Sequence, residues 1–280
     1  MRAFLILCWI ALFAASPAAA ASSPRLAPLE QQLAWLTAGQ SSDVGIAALD
    51  LRTGEQVSVR GNEPFPMAST VKIAVAANYL AQVEHGRRSL DDTIGGRSAR
   101  SLMEAMIIRS DNHATDVLLR DLGGPKTVQA WLDQQQISGL RIDRTIAQLL
   151  SAKRDLRDLR DSSTPTAMVG LLQRIDSGKM LRPTSKSYLL GLMARCKTGK
   201  NRIRGLLPFG TMVENKTGTL NGLTTDVGFI TLPDGRRVAV ALFARYGANR
   251  PRTIAEASRA IYDGFAGWLR TGFPPAVRAY

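Results

Sequence analysis

The chain has 280 residues, of which 45% are hydrophobic and 21% are charged, and this globular composition excludes a disordered chain, a collagen and a membrane bundle. The 36 Lys and Arg residues outnumber the 23 Asp and Glu residues, giving a formal net charge of +13, which suits nucleic acid, an anionic envelope or an acidic substrate. With two His and two Cys the chain has too few ligands for the usual zinc site, so we expect no metal and no cofactor.

Residues 1–21 have the features of a secretory signal peptide. Arg2 precedes an apolar run from Phe4 to Ala15, which is too short to span a bilayer, and four alanines then offer small-residue cleavage sites. An uncleaved anchor is the alternative. Cleavage near residue 21 predicts an exported protein, either periplasmic or secreted, whose domain spans residues 22–280.

Export changes what the remaining cysteine and the positive charge are expected to do. Cys196 would be the only cysteine of the mature protein, so we expect no internal disulfide and a buried thiol. Nucleic acid becomes an unexpected partner, because no interleaving of aromatic and basic residues is present. We expect a monomer that contacts an anionic cell envelope.

The body of the chain predicts strands at both ends and helices between them. In chain order, the patterns predict a helix at 26–36, strands at 44–50 and 56–60, helices at 69–80, 102–108, 114–122, 128–135, 165–174 and 186–196, strands at 212–216, 226–232 and 237–245, and a helix at 253–269. Asn221-Gly222 and Asp234-Gly235 predict hairpin turns.

The predicted fold class is α/β, in the form of an α+β sandwich. An antiparallel sheet would be built from the N- and C-terminal segments, about 22–65 and 205–280, with an all-helical region inserted at about 66–204. We expect a site in the crevice between the two parts.

Ser69 and Lys72 are one helical turn apart, so their side chains share a face. A serine hydroxyl is a weak nucleophile unless a base lies beside it, and a lysine serves as that base when burial or nearby cations lower its pKa. Ser69 is therefore a candidate nucleophile and Lys72 its candidate base. An N-capping serine beside a solvated lysine is the alternative.

Ser110, Asp111 and Asn112 follow one predicted helix and open the next. In a catalytic interpretation, Ser110 relays a proton and Asn112 holds an amide of the substrate. Alternatively, Ser110 and Asn112 cap the second helix.

Lys216-Thr217-Gly218-Thr219 lies at the end of a predicted strand. A strand edge can pair with an extended substrate, Lys216 and Thr217 can hold a carboxylate, and Gly218 allows a close backbone approach. A second Lys-Thr-Gly, at residues 197–199, closes a predicted helix with no strand before it. We therefore interpret the second copy as an ordinary helix end.

The ordered set Ser-x-x-Lys, Ser-Asp-Asn and Lys-Thr-Gly resembles that of the class A β-lactamases and their penicillin-binding relatives. The resemblance covers most of residues 26–270, with further matching stretches at Gly123-Gly124-Pro125, Asp143-Arg144, Arg160-Asp161 through Pro165, and Asp234-Gly235. It implies the β-lactamase/transpeptidase-like fold and an acyl-enzyme mechanism. The implied substrate is a β-lactam or a peptide ending in D-alanyl-D-alanine.

The resemblance also implies roles for individual residues. Ser69 matches the acylated nucleophile, Lys72 its base, and Ser110 the proton relay to the leaving nitrogen. Asn112 matches the contact with the side-chain amide of the substrate. The backbone N–H groups of Ser69 and Thr219 would form the oxyanion hole, in which each donor contributes about 3–4 kcal/mol. The carboxylate-binding strand, whose lysine also belongs to the catalytic groups, would comprise Lys216, Thr217, Gly218 and Thr219.

The chain departs from the family where the acyl-enzyme is hydrolysed. Class A enzymes carry a Glu after the Asp-Arg pair and an Asn four residues later, and these positions are Ile146 and Leu150 here. General-base assistance contributes about 10²–10⁴-fold, so we expect acylation to be retained and β-lactam hydrolysis to be slow. Asp155 and Asp158 are weak candidates for a replacement base, because alternating charge is typical of a solvated helix face.

The rest of the cleft departs from the family as well. The segment between the first two motifs is short for the family, so we expect an open cleft that suits a bulky peptide. We expect Asp161 to pair with Arg144 and to tie together the ends of an altered loop. Many members place an Arg on the strand after Lys-Thr-Gly, where this chain has Thr225. Arg202 lies where some relatives supply that Arg, and a plain surface arginine is the alternative.

Three functions remain open at this point. The first is an exported serine hydrolase of the class A family, acylated by β-lactams at Ser69 and slow to release the product. The second is a D-alanyl-D-alanine carboxypeptidase or transpeptidase acting on peptidoglycan, which the lost water site and the open cleft favour. The third is a non-enzymatic penicillin or muropeptide binder, against which the complete set of three motifs counts.

Overall fold

The computed structural model describes residues 24–38 and 41–267, so the predicted signal peptide lies outside the described residues. The helices are α1 Ala27–Ala38, α2 Lys72–Glu84, α3 Ala99–Ile108, α4 Asn112–Asp121, α5 Pro125–Gln134, α6 Ile146–Ser151, α7 Pro165–Asp176, α8 Pro183–Ala194 and α9 Arg250–Phe265. The strands are β1 Asp43–Asp50, β2 Gln56–Val59, β3 Phe65–Pro66, β4 Thr93–Ile94, β5 Arg97–Ser98, β6 Ser162–Ser163, β7 Val213–Leu220, β8 Leu223–Thr231 and β9 Arg237–Arg245.

Five strands form one sheet in the order β2-β1-β9-β8-β7, and every neighbouring pair is antiparallel. The first two strands come from the N-terminal segment and the last three from the C-terminal segment. Gly222 and Gly235 have φ values of 79° in the turns that join β7 to β8 and β8 to β9, which suits glycine. The predicted antiparallel sheet and both hairpins are confirmed, and β7 is an outer strand.

The sheet has a hydrophobic core on each face because side chains alternate along its strands. On β1, Ala47 and Leu49 face the core of the helical region, whereas Val44, Ile46 and Ala48 face a core shared with α1 and α9. The two terminal helices therefore cover one face, and the helical region covers the other.

Helix α2 passes through the middle of the helical region. Its residues from Lys72 to Ala81 are all buried, and it packs against α3, α4, α5 and α8. A helix that is apolar on every side belongs in a protein interior. The first turn of α2 is therefore held firmly where the helical region meets the sheet.

The segment 154–159 is an irregular loop between α6 and β6, so the predicted helix face there is wrong. Asp155 and Asp158 accept hydrogen bonds from the backbone N–H groups of Arg157 and Arg160, at 2.8 and 3.0 Å. Such local bonds from Asp side chains compete with helix formation. Helix α6, which begins with a capping box between Thr145 and Gln148, was not predicted.

Candidate active site

Ser69 lies in the 3-10 turn Ala68–Val71, which leads directly into α2. The preceding residue, Ala68, has a φ of 49°, a left-handed conformation that costs a non-glycine residue on the order of 1–3 kcal/mol. Ser69 is half-buried, and in the described part of the chain its hydroxyl makes no hydrogen bond. The turn therefore presents an accessible hydroxyl on a strained backbone.

Strand β7 packs against this turn at Gly218. A Cβ atom at Gly218 would lie 2.7 Å from the Met67 carbonyl oxygen and 2.9 Å from Ala68 Cβ, so a side chain does not fit. The next residue on the strand is Thr219. The close contact brings the backbone of Thr219 near that of Ser69, as the expected oxyanion hole requires.

Lys72 is fully buried and makes three hydrogen bonds. Its ammonium group donates to the Ser110 carbonyl oxygen at 2.7 Å, to Ser110 Oγ at 3.2 Å and to Asn112 Oδ1 at 2.8 Å. Burial lowers the pKa of Lys72 to about 7, and the charge of Lys216 adds to this effect. A lysine with this pKa can accept a proton near neutral pH. Among the described residues it does not bond to Ser69, so the amine must first give up one present partner.

Ser110 connects the two buried lysines. It lies between α3 and α4 with a φ of 61°, and Lys216 Nζ donates to its hydroxyl at 2.9 Å. Because Lys72 also donates to this oxygen, the hydroxyl proton of Ser110 is free to point away from both ammonium groups. Asp111 caps α4 by accepting from Ala114 N at 2.7 Å, so the alternative in which the serine caps that helix is wrong.

Strand β7 supplies the residues of the third motif. Lys216 is fully buried, and burial lowers its pKa to about 8. Its ammonium group also donates to the Thr217 carbonyl oxygen at 2.7 Å. Thr217 is buried and Thr219 is exposed. A cation and two hydroxyl groups along an outer strand can hold a carboxylate.

Arg202 lies against the same strand rather than free at the surface. Its Nη1 atom donates to the carbonyl oxygens of Gly218 and Thr225 at 2.9 and 3.0 Å. Its Nη2 atom donates to Thr219 Oγ1 at 2.7 Å. The guanidinium group therefore adds a second positive charge beside β7.

The loop that precedes β6 is tied at both ends by Asp161. Arg144 Nε donates to Asp161 Oδ2 at 2.5 Å, and the backbone N–H groups of Asp143 and Arg144 donate to Asp161 Oδ1 at 2.8 and 3.0 Å. The predicted pair of Asp161 with Arg144 is confirmed. Asp158 also pairs with Arg144 and with Arg160, so this carboxylate is already engaged by two cations.

Helix α6 carries aliphatic side chains at the two positions of the expected water site. Ile146 is 5% exposed and belongs to the core of the helical region, whereas Leu150 is 47% exposed. The backbone N–H groups of Ile146 and Ala147 donate to the two carboxylate oxygens of Asp116 at 2.7 and 2.9 Å. Neither aliphatic side chain can accept a proton or hold water.

Sequence reasoning missed two residues beside the site. Asp116 follows Asn112 by one helical turn, and this spacing was the available signal. Thr198, in the second Lys-Thr-Gly, bonds to Thr217 through the two hydroxyl groups. That copy lies outside any strand, as expected, but it is not an ordinary helix end because it contacts β7.

Neither a metal site nor a membrane helix appears in the described parts of the chain. Residues 24–38 and 41–267 contain no group of three His, Cys, Asp or Glu side chains that could hold a metal ion. In the same ranges, no helix is both long enough and apolar enough to cross a bilayer.

Comparison with known proteins identifies the family. A model of the beta-lactamase enzyme family matches residues 28–265. The extended-spectrum beta-lactamase PER-1 of Pseudomonas aeruginosa is 28% identical over 268 residues, which cover 84% of this chain and 86% of that protein. A beta-lactamase of Bacteroides uniformis is 28% identical over 274 residues, covering 85% of this chain and 92% of that protein.

Solved structures agree with the family match. An ancestral class A beta-lactamase (GNCA) has a TM-score of 0.80 at 33% identity, covering 85% of this chain and 100% of that one. A beta-lactamase from Chitinophaga pinensis has a TM-score of 0.79 at 28% identity, covering 85% and 99%. With its fold, and with hydrogen bonds that join side chains of its three motifs, the chain belongs to the class A beta-lactamase family.

Proposed function

We propose that this protein opens β-lactams through an acyl-enzyme on Ser69 and hydrolyses that ester slowly. The observation that carries the proposal is the convergence of Lys72 and Lys216 on Ser110, next to the turn that bears Ser69. The aliphatic side chains of α6 support the slow second step. The chain keeps the groups needed for attack on the lactam and lacks those that activate water.

Acylation can proceed with side chains of this chain alone. Neutral Lys72 accepts the Ser69 proton while Ser69 Oγ bonds to the lactam carbonyl carbon. When the ring C–N bond breaks, Ser110 gives its proton to the nitrogen and is reprotonated by Lys72. The proton removed from the serine therefore ends on the leaving nitrogen, and Lys72 is neutral again. The backbone N–H groups of Ser69 and Thr219 would stabilise the oxyanion.

The charges around β7 support a substrate that carries a carboxylate. Lys216 and Arg202 supply positive charge, and the hydroxyl groups of Thr217 and Thr219 supply hydrogen-bond donors. β-Lactams have such a carboxylate, and the name of the relative PER-1 identifies it as an extended-spectrum beta-lactamase.

Hydrolysis of the acyl-enzyme requires a water molecule to be activated. Ile146 and Leu150 have no group that accepts a proton, and Asp116, on the neighbouring helix, already accepts two backbone N–H groups. Loss of a general base slows a step by about 10²–10⁴-fold. The acyl-enzyme should therefore accumulate during reaction with a penicillin.

A D-alanyl-D-alanine carboxypeptidase or transpeptidase acting on peptidoglycan is the second candidate. The same groups would attack a peptide, and between α2 and α3 the structure has only the short strands β4 and β5, which supports an open cleft. A non-enzymatic penicillin or muropeptide binder is the third.

The features of residues 1–21 and the net charge of +13 support export to the periplasm and contact with an anionic envelope.

Intact-mass measurement of the full chain after incubation with a penicillin tests the proposal. A long-lived adduct on Ser69 is expected. Rapid turnover of the penicillin would contradict slow hydrolysis and would indicate a base elsewhere. Turnover of a peptide ending in D-Ala-D-Ala would favour the second candidate, and the absence of any adduct would leave only the binder.

A further inference from the structure

The second Lys-Thr-Gly segment reaches the strand that carries the first. After α8 ends, the chain turns so that Thr198 Oγ1 forms a hydrogen bond with Thr217 Oγ1. On its other side, Thr198 Oγ1 lies 3.3 Å from the buried sulfur of Cys196. Thr198 therefore has one partner in the interior and one on β7.

The backbone of this segment is shaped for the contact. Gly199 has a φ of 64°, and a Cβ atom there would lie 2.6 Å from Thr217 Cγ2 and 2.9 Å from Arg202 Cδ. The Gly199 carbonyl oxygen accepts from Arg202 N at 3.0 Å. One tight turn thus brings Thr198 to Thr217, and Arg202 to Gly218 and Thr219 of the same strand.

The hydrogens of these hydroxyl groups determine what Thr217 can bind. A threonine hydroxyl has one proton to donate. Among the described residues, Thr198 is the only side chain that bonds the Thr217 hydroxyl. If Thr198 donates to Thr217, the Thr217 proton is left to point into the cleft. If Thr198 is absent, this hydroxyl can rotate freely between binding and non-binding directions.

We propose that Thr198 is a positioning residue: it donates to Thr217 and so aims the Thr217 proton at the carboxylate of the substrate. The inference rests on the proposed function, because it needs a substrate that carries a carboxylate at β7. Lys216 and Arg202 supply the positive charge beside β7, and Thr198 fixes the direction in which the Thr217 hydroxyl proton points. A neutral ester accepts a weaker hydrogen bond than a carboxylate does, so it should gain less from a hydroxyl that points towards it.

The test compares a penicillin with its methyl ester in the Thr198→Val variant, which keeps the shape of the side chain and removes the hydroxyl. Acylation of Ser69 is followed by intact mass. We expect the second-order rate constant to fall about fivefold to tenfold for the penicillin, as for the loss of one hydrogen bond, and to fall clearly less for the ester, whose acceptor is neutral. Thr198→Ser, which keeps the hydroxyl, should restore the wild-type ratio of the rate constants for the penicillin and the ester. Thr184→Val, on an exposed position of α8, is the matched control.

Other outcomes overturn the inference. An equal loss of acylation rate for the acid and the ester would mean that Thr198 only supports the fold. No loss for either would mean that the Thr217 hydroxyl is oriented without Thr198. Binding of the penicillin to Ser69→Ala protein, with and without Thr198→Val, repeats the comparison without chemistry. If the wild-type protein forms no adduct, the proposed function fails, and this binding ratio still decides the role of Thr198.

Discussion

The region around α2 and β7 buries charged side chains, whereas α6 carries aliphatic ones. On the side of α2 and β7, Lys72 and Lys216 are both fully buried and share the hydroxyl of Ser110. On the side of α6, Ile146 and Leu150 are aliphatic. Burying two cations is costly, whereas burying the aliphatic side chain of Ile146 is favourable, and Leu150 stays exposed. The two lysines beside Ser110 are therefore buried at a cost to stability, whereas α6 carries no proton acceptor at residues 146 and 150.

The largest expected effect comes from removing the nucleophile. Ser69→Ala leaves no hydroxyl to attack the lactam, so the rate at which the covalent adduct forms should fall by about 10⁴-fold or more. Intact mass after exposure to a penicillin measures the change. Ser187→Ala, an exposed serine of α8, serves as the control and should acylate normally. An adduct that still forms in Ser69→Ala would show that another residue is acylated.

Restoring a base on α6 tests the other side of the cleft. Ile146→Glu with Leu150→Asn should speed hydrolysis of the acyl-enzyme by about 10²-fold or more, because a carboxylate can then activate water. Decay of the adduct after removal of free penicillin gives the rate. The matched control is Ile146→Gln with Leu150→Asn, which adds polarity without a base. Equal decay in the two double variants would contradict the assigned positions.

The pH dependence of acylation reports the state of Lys72. Burial, assisted by Lys216, lowers the pKa of Lys72 to about 7, and only the neutral amine accepts a proton. The acylation rate should therefore fall about tenfold per unit as pH decreases below this pKa. It should also decline above about pH 8, where Lys216 loses the charge that would hold the substrate carboxylate. Lys216→Met removes a neighbouring positive charge, so the midpoint should move to higher pH.

Lys200→Met, at an exposed position, is the control for the pH experiment and should leave the midpoint unchanged. A rate that does not depend on pH, or a midpoint that moves down in Lys216→Met, would exclude Lys72 as the base.

The smallest expected effect concerns the contact between β7 and the nucleophile turn. In Gly218→Ala the new Cβ would lie 2.4 Å from Thr225 Oγ1 and 2.7 Å from the Met67 carbonyl oxygen, so the strand must move away. We expect acylation to slow by about fivefold to tenfold, since misplaced oxyanion donors weaken transition-state binding. Gly191→Ala, on an exposed helix position with open space around it, should acylate like the wild type. Equal rates in both variants would falsify the packing argument.

Patterns that depend on neighbouring residues were predictable. The apolar run of β1 and the Asn221-Gly222 and Asp234-Gly235 turns are local, and they lead directly to an antiparallel sheet. The three motifs named side chains that the structure joins by hydrogen bonds, Lys72 and Lys216 with Ser110 among them. They were predictable because their residue types and order are distinctive, even though each motif is short.

Features that depend on contacts between distant segments were not predictable. The left-handed conformations of Ala68 and Ser110 are imposed by packing, because neither residue type favours them. The contact of Thr198 with Thr217 depends on a turn at Gly199. Helix α6 is held by Asp116 from another helix, and its one local signal, the capping box from Thr145 to Gln148, was missed.

The buried amine of Lys72 also affects how the fold responds to alkali. Its pKa is lowered from 10.5 to about 7 in the folded chain, so between these two pH values the unfolded chain holds more protons at this position. Its contribution to the free energy of unfolding therefore increases as pH rises through that window and is constant beyond it. Lys72→Met would remove this pH dependence, and it would also leave the Ser110 and Asn112 oxygens without this donor.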